Sequence, residues 1–135
     1  MWEGEAQFGR SVRPSSAADL KRIAYLYPQP SPDAATLARY LDAFDRILAL
    51  ASENGAAVTA IKPPVPPQFY RKLPSEPAFD AAVSDLLARR GATFSDYSHA
   101  ILQPRLYFDT DHLNRDGLTK FFAQYLKPLL IGSRP

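Results

Sequence analysis

Thirteen of the 135 residues are proline against six glycine, and the prolines fall in blocks: Pro28, Pro30 and Pro32, then Pro63, Pro64, Pro66 and Pro67. A ring-locked φ and a missing N–H bar such blocks from helix interiors and central strands, so they cut the chain into short elements joined by stiff connections. At this length one domain with one hydrophobic core is the expectation. No internal repeat is visible, and neither block is long enough to be low-complexity sequence.

Between the blocks the apolar residues are periodic. Ser16 followed by Asp19 resembles a capping box, with Leu20, Ile23 and Tyr27 at helical spacing until Pro28. Ser31 as N-cap and Pro32 at the first helical position open a second helix, whose stripe is Leu37, Leu41, Phe44, Leu48 and Ala51, ending before Gly55. Residues 57–62 are short and β-branched at their centre and run into Pro63, which reads as a buried strand. Ser75 can cap a helix over 76–90 with Phe79, Val83, Leu86 and Leu87 on one face, and Gly91 supplies its left-handed stop. A second strand is expected over 93–97, and residues 105–108 offer a doubtful third. A last helix over 116–129 would bury Leu118, Phe122, Tyr125 and Leu129, with Asn114 as its cap.

Helix, glycine, strand, loop thus occurs twice, which predicts right-handed crossovers and adjacent parallel strands. The fold class expected is α/β, a flavodoxin-like parallel sheet with helices on both faces. Two or three strands are too few for such a sheet, so the chain reads as the C-terminal half of a larger domain, with residues 1–30 as an arm carrying a short helix and 31–135 as the α/β region. A sheet cut through its middle leaves bare edges, so either a homodimer or the missing N-terminal half of the domain is expected to cover them.

Composition narrows the chemistry. With no cysteine there is no disulfide, thiolate ligand or Cys nucleophile, and His99 and His112 are the only histidines. A net charge of +2 with scattered basic residues argues against nucleic acid. No apolar run approaches a membrane span, and the first fourteen residues lack the features of a signal peptide.

The polar groups converge in Asp109-Thr110-Asp111-His112-Leu113-Asn114-Arg115-Asp116-Gly117, between an apolar stretch and a helix start. A carboxylate that accepts from one imidazole nitrogen fixes the tautomer, and the other nitrogen can then take a proton. The bland alternative is turn and cap duty, which Asp and Asn favour. Read as a calcium loop the segment fails, since Leu113, Asn114 and Lys120 fall where ligands or the obligatory glycine belong. No metal signature relates His99 to His112, and no cofactor or metal is expected. His99 reads as a surface histidine, and Phe69 and Tyr70 as aromatics that pack their loop or line a pocket.

Asp109-x-x-His112-Leu113-Asn114-x-x-Gly117 followed by an amphipathic helix resembles the last motif block of the SGNH (GDSL-type) hydrolases. Further back, Pro63-Pro64-Val65, Phe69-Tyr70, Asp96-Tyr97-Ser98 and Tyr107-Phe108-Asp109 follow the order seen in the D-alanyl transfer proteins of the lipoteichoic acid pathway and related cell-envelope proteins. The resemblance covers roughly residues 34–130. It implies that His112 is the general base of a Ser-His-Asp triad and Asp109 its orienter, acting on ester-linked acyl groups of a cell-envelope polymer or small ester, in a periplasmic or envelope-associated parent. The nucleophile block is missing: Gly9-Arg10-Ser11 lacks the acidic residue and follows no strand. The expectation is a chain that is inactive alone; the alternative is a non-catalytic binding or assembly domain.

Overall fold

The computed structural model describes residues 6, 8–11, 13–28 and 33–132. They form α1 (Ser16–Leu26), α2 (Ala34–Glu53), β1 (Thr59–Lys62), α3 (Pro67–Tyr70), α4 (Glu76–Arg89), β2 (Thr93–Asp96), a 3-10 turn (Pro104–Leu106), α5 (Arg115–Phe121), a π-helical turn (Phe122–Leu126) and α6 (Lys127–Gly132). This is a mixed fold with one small sheet among the described residues: β1 and β2 are parallel, with Thr59 opposite Thr93 and Lys62 opposite Asp96.

The chain divides into two compact units rather than one. The first takes residues up to Arg22, Pro63–Lys72 and those from Tyr97 onward; the second takes Ile23–Lys62 and Leu73–Asp96. Each has its own apolar cluster, so the single core expected from length gives way to two. The second proline block lies where the chain leaves β1 and passes from the second unit to the first.

The second unit is the one the periodicity describes. Leu48 of α2 and Leu86 and Leu87 of α4 are buried, with Leu41, Phe44, Val58, Val83 and Phe94 packed around them. Gly55 and Gly91 end their helices with φ +69 and +66, where a side chain would be strained. The N-cap of α2 is Asp33, whose carboxylate accepts from the Ala35 N–H; Ser31 and Pro32 lie outside the described residues. Ser75 holds the cap position of α4 at φ 59 but makes no side-chain cap bond. Phe79, expected inside, is 45% exposed.

Lys62, the last residue of β1, lies in this unit with its ammonium 2.6 Å from Glu76 and 2.7 Å from Asp80. Burial opposes its charge, but the hydrogen bonds to Asp80 and Glu76 outweigh that and hold its pKa above the ordinary lysine value. The Tyr27 hydroxyl donates to the other Glu76 oxygen at 3.3 Å, and burial followed by the Glu76 charge raises the pKa of Tyr27.

In the first unit Ile101, Leu106, Tyr107 and Phe121 form the buried cluster, with Tyr97, Leu113, Tyr125 and Leu126 against it. Tyr107 is 1% exposed and donates to the Ile101 carbonyl at 2.7 Å, which satisfies the only polar atom its side chain brings inside. Residues 105–108 are no strand. Pro104 opens a 3-10 turn, and Tyr107 makes only a single antiparallel bridge to Leu113.

Two helices differ from their expected faces. On α1 Leu20 is 59% exposed, and the buried residue is Asp19, whose carboxylate meets the Lys72 ammonium at 2.6 Å. The cap is then Ser15, whose hydroxyl accepts from the Ala18 N–H. In the C-terminal stretch Phe121 is buried while Leu118 and Phe122 are about half exposed. The inward face of α5 is set by Gly117 and Phe121, four residues apart and both buried; beyond it Pro128 has no N–H to continue the ladder, and just before it the Lys127 N–H bonds back to the Phe122 carbonyl in a π turn.

Candidate functional site

The candidate site is the loop from Phe108 to Asn114 in the first unit, held at both ends by backbone bonds. Phe108 N–H donates to the His112 carbonyl at 3.0 Å and Asn114 N–H to the Leu106 carbonyl at 2.9 Å. Asn114, 3% exposed, works in two directions: its side-chain oxygen accepts from the Gly117 N–H at 2.9 Å, capping α5, and its amide donates to the Arg105 carbonyl at 2.7 Å. Gly117 is required by space, because a Cβ there would overlap the Leu106 carbonyl oxygen.

Inside this frame Asp109 turns its carboxylate back over the loop. It accepts from the Asp111 N–H at 3.0 Å and the His112 N–H at 2.8 Å, an Asx turn that closes the segment. The same carboxylate lies 2.9 and 3.0 Å from Nδ1 of His112. A carboxylate accepts only, so Nδ1 is the donor in this contact. The ring stacks on Phe108 with centroids 5.7 Å apart, and Phe8 packs on Phe108 at 5.2 Å. More than half of the His112 side chain is exposed, and the Asp109 side chain is 38% exposed.

Asp111 does a different job. Its carboxylate takes a forked pair from Arg22, Nε at 3.1 Å and Nη2 at 2.9 Å, plus the Thr110 hydroxyl at 2.8 Å. It stands 3.6 Å from Nδ1 of His112, beyond hydrogen-bonding reach. Of the two acids beside the histidine, Asp109 orients the ring and Asp111 anchors the loop to α1. Arg22 carries no motif and lies 89 residues away, so no local pattern points to it. The same holds for Lys72 and Asp19.

Asp109, Asp111 and His112 could each offer one ligand atom to a cation, all within 4.8 Å of one another. Such an ion would have to compete with Arg22 for Asp111. A small cleft of about 30 Å³ runs beside Asp109, bordered by Arg13, Asp19, Gln68, Tyr107 and Thr110. It has room for about one water, so any acyl group would approach from the open side of His112.

No hydroxyl among the described residues reaches the imidazole. Ser11 donates to the Arg105 carbonyl at 2.6 Å, and Thr110 is bonded to Asp111. His99 is exposed and meets Tyr70 edge-on at 4.4 Å, while Phe69 is 2% exposed and packs α3 into the unit. No protein-family model matches the chain, and neither the curated proteins nor the solved structures yield a significant match. Among the described residues no helix is long and apolar enough to cross a membrane.

Proposed function

We propose that His112 and Asp109 are the general base and its orienter in acyl transfer at an ester, within an SGNH-hydrolase-like arrangement whose attacking hydroxyl comes from outside the described residues. The observation that carries this reading is the contact of Asp109 with Nδ1, made by an acid that Arg22 leaves free because it is committed to Asp111. With Nδ1–H held, Nε2 is the nitrogen that accepts a proton from a hydroxyl as it attacks, and the Asp109 charge stabilises the imidazolium that results. The parallel β1–β2 pair and its flanking helices would belong to a larger flavodoxin-like sheet, and the substrate class would be acylated cell-envelope polymers.

Three measurements on the full chain test this. Nitrogen NMR of His112 above its titration range should show the Nδ1–H tautomer in the wild type and a shift toward Nε2–H in Asp109→Ala; a wild type already in the Nε2–H form rules out the orienter role. Titration with an O-acetylated oligosaccharide should move the amides of Phe108–Gly117 and leave those of α4 in place, and unchanged spectra at millimolar ligand would remove the polymer substrate. Turnover of an activated acetyl ester should stay at the level of free imidazole, because a base without its nucleophile gives no acyl-enzyme.

The second reading, a non-catalytic assembly domain, is favoured by the apolar side chains left open on the helices, among them Tyr40, Ile47 and Leu50. It predicts no response to acyl ligands.

A further inference from the structure

One face of α2 is turned away from the core and yet apolar. The helix buries Leu48 and packs Leu41 and Phe44 inward, while Tyr40, Ile47 and Leu50 are 70%, 62% and 61% exposed. With Ala43, half-buried between them, these residues stand at 40, 43, 47 and 50. Steps of three and four are the a and d spacing of a two-helix seam, offset from the face that packs the unit's own core.

The charges beside this stripe show what fits it. Counting Tyr40 and Ile47 as a and Ala43 and Leu50 as d puts Arg39, Arg46 and Glu53 at successive g positions along one edge. None of the three forms an ion pair among the described residues. Glu53 is moreover the last residue of the helix, where the exposed carbonyl ends disfavour an acid. In a parallel pair each g residue would face an e position, here Phe44 and Ala51, with no charge to answer it. In an antiparallel pair g faces g: Arg39 near the start of one helix meets Glu53 at the end of the other, twice by symmetry, and Tyr40 packs on Leu50 while Ala43 packs on Ile47.

We infer that the Tyr40-Ala43-Ile47-Leu50 face of α2 is a self-association surface, on which a second copy of this chain docks its own α2 antiparallel about a two-fold axis near Asp45. The two Arg46 side chains approach each other beside that axis, a repulsion that keeps the dimer weak. The seam is about 15 Å long at 1.5 Å per residue, short of a standard interface. Half-association is therefore expected at about 100 μM, the weak end of specific complexes.

Sedimentation equilibrium of the full chain from about 5 μM to 1 mM tests the inference, with circular dichroism of each variant as the folding control. Ile47→Asp should abolish the dimer. Arg39→Glu and Glu53→Arg should each weaken it about tenfold, as expected for two lost surface pairs and the new repulsion. The double variant Arg39→Glu/Glu53→Arg should restore it to within about twofold, because the exchanged charges still face each other, and Arg46→Gln should tighten it. These two charge variants sit on exposed positions and do not depend on Ile47→Asp folding. A wild type that stays monomeric to 1 mM, a double variant no better than the singles, or an Arg46→Gln that weakens association overturns it.

Discussion

The two units solve the same problem with different materials. The second is built from regular elements whose apolar stripes meet, Leu48 on α2 against Leu86 and Leu87 on α4, with its charges gathered in the Lys62, Glu76 and Asp80 cluster. The first has shorter elements and relies on side chains that bond to backbone: Tyr107 to Ile101, Asn114 to Arg105 and Gly117, Asp109 to its own loop. Packing tolerates drift in a side chain's tip by a fraction of an ångström, whereas a carboxylate that must meet one ring nitrogen does not. The unit that carries the candidate chemistry is accordingly the one held by directional bonds.

Three measurements break or sharpen this contrast, taken from the largest expected effect downward. Leu87→Ala, at a side chain with no exposed surface, should cost about 4 kcal/mol, the ordinary penalty of a cavity in a packed core. Denaturant unfolding gives the total, and amide exchange should lose most protection in α4. If Gly117 and Leu118 lose as much, the two clusters behave as one core and the contrast fails.

Gly117→Ala should cost about 3 kcal/mol by a different route, since the added methyl overlaps the Leu106 carbonyl and the loop must move away. Exchange should quicken at Asn114 and Leu118, and the contact of Asp109 with His112 should loosen with them. A near-neutral variant would mean that the loop is softer than its bonds imply.

The smallest effect is alkaline. Lys62 and Tyr27 in the second unit and Tyr107 in the first all have folded pKa values raised above the unfolded ones, Tyr107 by burial. A raised value contributes stability that is complete below the unfolded pKa and is lost as pH climbs toward the folded one. The window therefore opens near pH 10, and stability falls as pH climbs from there toward the folded values. The second unit holds two such groups to the first unit's one, so α4 amides should lose protection before those of α5. The reverse order would show that the lysine cluster is no stronger than solvation.

Legibility followed the same division. Periodicity and punctuation place α2, α4 and the parallel β1–β2 pair, because Leu41, Phe44, Leu48, Leu86 and Leu87 repeat at helical spacing and Gly55 and Gly91 close each helix in the left-handed region. The loop geometry was also local: Asp109, His112, Asn114 and Gly117 lie within nine residues and meet as their spacing requires. What stayed hidden was long-range or polar. Arg22 reaching Asp111 and Lys72 reaching Asp19 depend on where α1 is laid, and a buried aspartate in an amphipathic-looking helix inverts its apparent face. In the last helix Phe121 took the inward place expected for Phe122, since the face is set one turn earlier by Gly117 against the Leu106 carbonyl, a close approach that an apolar stripe does not show.

The double duty of Asp109 decides how such a loop would decay under mutation. One carboxylate closes the turn through two N–H groups and holds the imidazole through Nδ1. Asparagine keeps the oxygen that closes the turn but brings no charge, and its amide can present a donor where the ring offers one. A lineage that drifted to Asp109→Asn would thus keep a correctly shaped loop around a histidine in the wrong tautomer, losing the reaction without any scar in the fold. For the proposed role, an intact backbone here is therefore no witness, and the identity of residue 109 is.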